Sequence, residues 1–273
     1  MTRFVLLHYH VFKNAGSTIE EILARSFFEK FARVDFDPFD HAMTNADVLS
    51  FLDSNPQTRA LSSHQIRYPL PVAPGYFFFD LCFLRDPIDR VRSMYQYFRE
   101  KPRASEPVSD LANQSDLGGF VAGLVERLPE WCNDLQVNLL AHRSVDDAPP
   151  QAKDLDVAIE TMLKTTWLGV VDRFNQSLIA GQHFLRPVFP DLDCAQPPVN
   201  VSGGLEATLQ SRIQNLRDAC GEKVYAELLR LNALDLELMN RARAEIQRRF
   251  ELVPDHAARL AALEARMRTR AAQ

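Results

Sequence analysis

Two turns and one histidine in this chain carry side chains whose types and spacing could do chemistry. The first turn is Val11-Phe12-Lys13-Asn14-Ala15-Gly16-Ser17-Thr18, which follows the mostly apolar run Arg3 to His10 and leads into a helical pattern from Ile19 to Phe31. A strand, a tight turn of small residues with a lysine, and a helix start make a place to hold an anion. The first backbone N–H groups of a helix lack intrahelical partners, and the helix dipole favours negative charge there. Ala15 and Gly16 let a phosphate come close to the backbone. Ser17 and Thr18 are suitable caps, and Glu20 and Glu21 each fall three positions after one of them, the capping-box spacing. Lys13 precedes the small residues, so this is not the Gly-Lys-Ser/Thr phosphate loop, and Gly-x-Gly-x-x-Gly is absent. An ordinary turn with a surface lysine is the competing reading.

The second turn follows Tyr76 to Leu84, a nearly continuous apolar run that predicts a central strand. In Arg85-Asp86-Pro87-Ile88-Asp89-Arg90-Val91-Arg92-Ser93-Met94-Tyr95, Asp86 suits the N-cap and Pro87 the first helical position. That puts Arg85 at the strand end and Asp86, Arg90 and Ser93 on one helix face, where a guanidinium and a hydroxyl can converge on an anion. The alternative for Arg85 is an ion pair with an aspartate. The histidine is His64, at the end of a predicted strand Arg59 to His64, before Pro69 and Pro71. In open α/β sheets ligands bind at the carboxyl ends of strands.

Elements that must position these groups alternate. Val34 to Thr58 is polar, with a short helix at about 46–52, and Lys101 to Ser115 reads as a polar loop. Phe120 to Ala141 is helical with a break near Pro129. Trp167 to Val171 is a strand, followed by Asp172, Arg173 and a helix to about Leu185. Four prolines between Pro187 and Pro198 mark an irregular crossing, and Asn200 to Gly204 a flexible turn. Leu205 to Phe250 is helical, broken near Gly221, and the Ala-, Arg- and Glu-rich stretch from Pro254 predicts an exposed helix, solvated or partner-binding. The expected organisation is one α/β domain over 1–253, its sheet mainly parallel, and a helical tail over 254–273.

Composition sets limits. A chain of 273 residues that is 46% hydrophobic can bury a full core. Its net charge of −5 argues against a general nucleic-acid binder and leaves a local basic cleft open. Cys82, Cys132, Cys194 and Cys220 form no Cys-x-x-Cys pair, so reduced thiols are expected, not disulfides or zinc. No metal-ligand cluster is visible. Arg3 to Phe12, interrupted by His8 and His10, is too short for a signal peptide, and no run of about 20 apolar residues exists to span a membrane. The expected location is cytoplasmic.

The two turns together resemble the sulfotransferase superfamily. His10 to Thr18 is similar to its 5′-phosphosulfate loop, with Phe12 where proline is usual, and Leu84 to Tyr95 closely resembles its 3′-phosphate motif. Asn133 to Gln136, Leu168 to Phe174 and Asn232 to Leu238 resemble segments of the carbohydrate branch, especially proteins related to heparan and uronyl 2-O-sulfotransferases. The likeness runs from about residue 4 to 250. It implies a P-loop-like three-layer fold and transfer of a sulfuryl group from 3′-phosphoadenosine 5′-phosphosulfate to a hydroxyl of a sugar or glycan, leaving adenosine 3′,5′-bisphosphate, with no metal. By position it implies Lys13 on the 5′-phosphosulfate, backbone and hydroxyl donors from Asn14, Ala15, Gly16, Ser17 and Thr18, Arg85 and Ser93 on the 3′-phosphate, and His64 as base. Ser63 stands where glycine is usual.

Neutral histidine can take the hydroxyl proton at physiological pH, and Lys13 with the helix start can stabilise the leaving oxygen. Glu20 is the alternative base. Arg67, Arg92, Arg99, Lys101 and Arg103 either bind an acidic acceptor or form a solvated face. A nucleotide-dependent kinase with a degenerate loop and a non-catalytic nucleotide-binding scaffold are the competing functions.

Overall fold

The computed structural model describes residues 2–36, 42–142, 148–199 and 208–271. The turn expected at Asn200 to Gly204 lies outside them. Five strands form one parallel sheet: β1 Arg3–Tyr9, β2 Phe31–Arg33, β3 Ala60–Ser63, β4 Tyr76–Leu84 and β5 Trp167–Val170, in the order β2-β3-β1-β4-β5. Leu6 pairs with Ala60 on one side and Phe79 on the other, and Leu84 with Val170. All strands point the same way, so the ends of β1 and β3 bring His10 and His64 to one edge. The fold is α/β with helices flanking the sheet, as expected. β2 was not: the helical pattern read as far as Phe31 ends at Phe27, and three residues pair with β3.

The helices are α1 Gly16–Phe27, α2 Asn45–Ser54, α3 Pro87–Glu100, α4 Pro107–Gln114, α5 Leu117–Arg127, α6 Leu135–Leu140, α7 Ala152–Lys164, α8 Phe174–Leu185, α9 Leu209–Leu231, α10 Ala233–Glu251 and α11 His256–Ala271. The chain divides into two compact units, Met1–Leu84 with Ile159–Val199 and Asn240–Gln273, and Arg85–Ala158 with Asn200–Met239.

The first unit holds the whole sheet. Ile19, Ile22 and Leu23 of α1, at helical spacing, are buried with Leu6, Leu81, Phe83 and Trp167 of the sheet and Leu178 and Leu185 of α8. Leu263 and Met267 of α11 belong to the same core. The segment from Pro254, expected as an exposed tail, is thus part of the first unit. Leu260, Leu263 and Met267 lie on one face, enough to bind a helix that is otherwise mostly alanine and arginine.

In the second unit α3 begins as its sequence dictates, with the Asp86 carboxylate accepting from the N–H groups of Ile88 and Asp89 and Pro87 in the first turn. Residues Lys101 to Ser115 are not all loop: α4 buries Val108, Leu111 and Ala112. The break in α9 falls at Gly221, whose φ of 74° favours glycine. Two stretches singled out in the sequence meet here. Asp235 accepts from the N–H groups of Gln136 and Val137 at the start of α6, and its own N–H donates to Asp134 Oδ1 at 2.8 Å.

Burial first, and then the nearby Asp235 charge, push the Asp134 carboxyl up to about 7. A carboxyl with a higher pKa folded than unfolded keeps its proton preferentially in the fold. Its contribution to stability is therefore full below the unfolded value of about 4 and is lost as pH rises through about 7. The unfolding free energy of the native chain relative to Asp134→Asn, which keeps an acceptor oxygen but cannot titrate, is expected to fall between pH 4 and 8 in urea titrations. A constant difference would contradict the shift.

Candidate functional site

At the carboxyl edge of β1 and β3 a chain of buried polar groups backs His64. His8 Nδ1 donates to Ser62 Oγ at 2.8 Å, and Ser62 Oγ–H donates to Glu20 Oε1 at 2.9 Å. His10 Nδ1 reaches the same oxygen at 2.9 Å, and Arg33 lies 3.1 Å from Glu20 Oε2. Burial works against the charge on Glu20, yet the bonds from His10 and Ser62 and the Arg33 charge bring its carboxyl below the usual range. Burial, reinforced by the neighbouring histidines, holds His8 well below the ordinary histidine value.

The His10 ring lies against His64, centroids 3.7 Å apart. His64 Nδ1 donates to the His10 carbonyl at 2.7 Å, which fixes the tautomer and leaves the basic lone pair on Nε2. Burial and then the adjoining His10 bring His64 down to about 4, so it is neutral at physiological pH. Asp35 secures the turn, its Oδ1 accepting from Ser63 Oγ at 3.0 Å and the His64 N–H at 2.8 Å. The imidazole is thus neutral, held in one tautomer and placed at the carboxyl edge of the sheet.

Glu20 does not cap α1. The helix starts at Gly16, with Ala15 as N-cap in the left-handed region and no side-chain cap, so Ser17 and Thr18 lie inside the first turn. The spacing to Glu20 and Glu21 suggested a capping box. His10 and Ser62 take the Glu20 carboxylate instead, while Glu21 is exposed. His8, His10 and Glu20 also offer ligand atoms within 4.8 Å of one another, a grouping not visible in the sequence. Those atoms are joined by hydrogen bonds, directly or through Ser62, and Arg33 disfavours a cation.

The loop before α1 places Lys13 and Ala15 at φ of 67° and 64°. Asn14 is buried, its Nδ2 donating to the Phe83 carbonyl at 2.8 Å, which anchors the turn to β4. Thr18 Oγ1 accepts from the Val199 N–H at 2.9 Å, so this hydroxyl ties the chain after α8 to α1. A Cβ on Gly16 would lie 1.7 Å from His10 Nε2. The glycine read as room for a phosphate makes room for an imidazole.

In the second unit Arg85 and Asp89 are ion-paired at 2.7 Å, and Arg212 reaches the other Asp89 oxygen at 2.6 Å. Burial opposes charge on Asp89, but the two guanidinium groups bring its carboxyl below the usual range. The trio carries one net positive charge. Gln136 holds the Arg85 backbone at both ends: its Oε1 accepts from the Arg85 N–H and its Nε2 donates to the Arg85 carbonyl, each at 2.9 Å. Ser93 is buried. Arg90, expected to share an anion with Ser93, is 1% exposed, and its Nη2 donates to the Trp131 carbonyl. It is a core residue because its long side chain runs inward from α3. Arg212 was missed; it lies 123 residues from Asp89, and no local pattern marks it.

The remaining basic candidates are engaged locally. Arg67 donates to the carbonyls of His64 and Ile66, Arg99 to that of Asn113, and Arg103 to Tyr97 Oη. Cys82, Cys132, Cys194 and Cys220 are all free thiols. No helix among the described residues is long and apolar enough to cross a membrane.

No family model matches the chain. It is similar to an uncharacterized protein of Archaeoglobus fulgidus, 24% identical over 241 residues that cover 87% of this chain and 95% of that protein.

Proposed function

We propose that the protein transfers a sulfuryl group from 3′-phosphoadenosine 5′-phosphosulfate to a hydroxyl, the acceptor being of carbohydrate type. The observation that carries this reading is the His64 imidazole, held neutral with Nδ1–H on the His10 carbonyl, in the same unit as the lysine-bearing loop that opens α1. The motif resemblance supplies the donor. Lys13, Ser17 and the first N–H groups of α1 fit a phosphosulfate chemically, as a cation, a hydroxyl and a helix amino end. The resemblance assigns Arg85 and Ser93 to the 3′-phosphate.

In the reaction His64 Nε2 takes the acceptor's hydroxyl proton as that oxygen forms its bond to sulfur. The bond from sulfur to the bridging phosphate oxygen breaks, and Lys13 with the helix start stabilises the negative charge left there. Positioning dominates such in-line transfers.

Calorimetric titration with adenosine 3′,5′-bisphosphate tests the reading. Micromolar binding without magnesium is expected, with adenosine 5′-monophosphate at least tenfold weaker and Arg85→Ala removing that preference. Binding that needs magnesium-ATP, or none, would overturn it and put a kinase or a scaffold in its place.

A further inference from the structure

A cleft of about 450 Å³ opens in the first unit between α8 and α11, within the size range of small-molecule sites. Its lining includes His183, Arg186, Asp191, Asp193, Arg259 and Arg266. The charges are unequal. Asp193 already takes Arg266 and Arg270, each at 2.6 Å, while Arg25 donates to the Asp193 carbonyl at 3.0 Å and to Gln196. Two guanidinium groups therefore share one carboxylate, and a third sits on the carbonyl of the same residue. Arg186 and Arg259 are exposed and make no ion pair among the described residues, and neither does Asp191. In a chain of net charge −5, five arginines around two carboxylates are a local excess of cation.

This excess cannot disperse, because Arg25, Arg266 and Arg270 are pinned to Asp193 and the chain around it. Like charges held together lower their free energy by taking up a counter-anion, and a guanidinium fork matches the paired oxygens of a phosphate or sulfate. We infer that the cleft binds a small molecule with two phosphate- or sulfate-type groups, one on Arg186 and one on Arg259. The site is separate from the loop at 13–18: Arg25, beside the cleft, is nine residues along α1 from Gly16, about 14 Å. It does not depend on the sulfuryl-transfer reading.

Calorimetry of the full chain with inorganic pyrophosphate tests this. A micromolar site is expected that survives Lys13→Ala, weakens at least tenfold in Arg186→Ala/Arg259→Ala, and binds orthophosphate at least tenfold less tightly. Both arginines are exposed, so the double variant is expected to unfold at the native midpoint. The inference is overturned if no site is found, if the site is lost in Lys13→Ala but kept in the double variant, if orthophosphate binds equally, or if only long sulfated polysaccharides bind.

Discussion

His64→Ala is expected to lower the rate of sulfuryl transfer by about 10²–10⁴-fold, the usual contribution of a positioned base. Affinity for adenosine 3′,5′-bisphosphate is expected to stay within about twofold, since the imidazole is assigned to the acceptor proton and not to the nucleotide. Its Nδ1–H bond to the His10 carbonyl orients the ring and can be lost with a modest penalty, about 1 kcal/mol for a neutral hydrogen bond. Because burial and His10 hold His64 at about 4, the native rate is expected to be flat on the acid side from pH 8 down to about 5 and to fall only below that. A rate unchanged by the substitution would remove His64 from the mechanism. Loss of nucleotide affinity in the same variant would point to a structural role.

Gly16→Ala is expected to destabilise the protein by on the order of 3 kcal/mol, through overpacking and the disturbed charged hydrogen bond. The added methyl would fall 1.7 Å from Nε2 and 1.9 Å from Cδ2 of His10, far inside contact distance. The ring cannot swing aside freely. Glu20 holds its Nδ1 and the His64 ring lies against its face, so relief means breaking a buried charged hydrogen bond or tilting α1 off the sheet. Urea unfolding would measure the loss, and His10→Ala in the same chain is expected to recover much of it, because the two changes act on one contact. A Gly16→Ala chain within about 0.5 kcal/mol of the native protein would mean that the ring does not lie where it is described.

What could be read from the sequence was local. The strand, turn and helix around Lys13, the Asp86 cap with Pro87, and the place of His64 at a strand end all follow from neighbours within a few residues. The buried chain from His8 through Ser62 to Glu20 and His10 did not, because it is made by pairing β1 with β3 across some 50 residues. Glu20 shows the difficulty best. Its spacing satisfied a local rule, and a tertiary partner outbid that rule. α4 was hidden by flanking polar and proline residues, and its helical state rests on burying Val108, Leu111 and Ala112. Arg90 matched a surface motif by spacing yet points into the core, where the Trp131 carbonyl receives it.

The inclusion of α11 in the first core has a consequence for how the chain is made. Leu6 of β1 and Leu263 of α11 belong to one packed cluster, yet about 250 residues separate them. At about 5–20 residues per second, a ribosome needs roughly 13–50 s to deliver the second after the first. Through that interval the cluster lacks the helix that packs against α8, although Phe83 and Trp167 join it well before α11 can. A nascent chain of this protein is therefore expected to depend on chaperones while it is being translated, with completion of this core postponed until residues 256–271 have emerged.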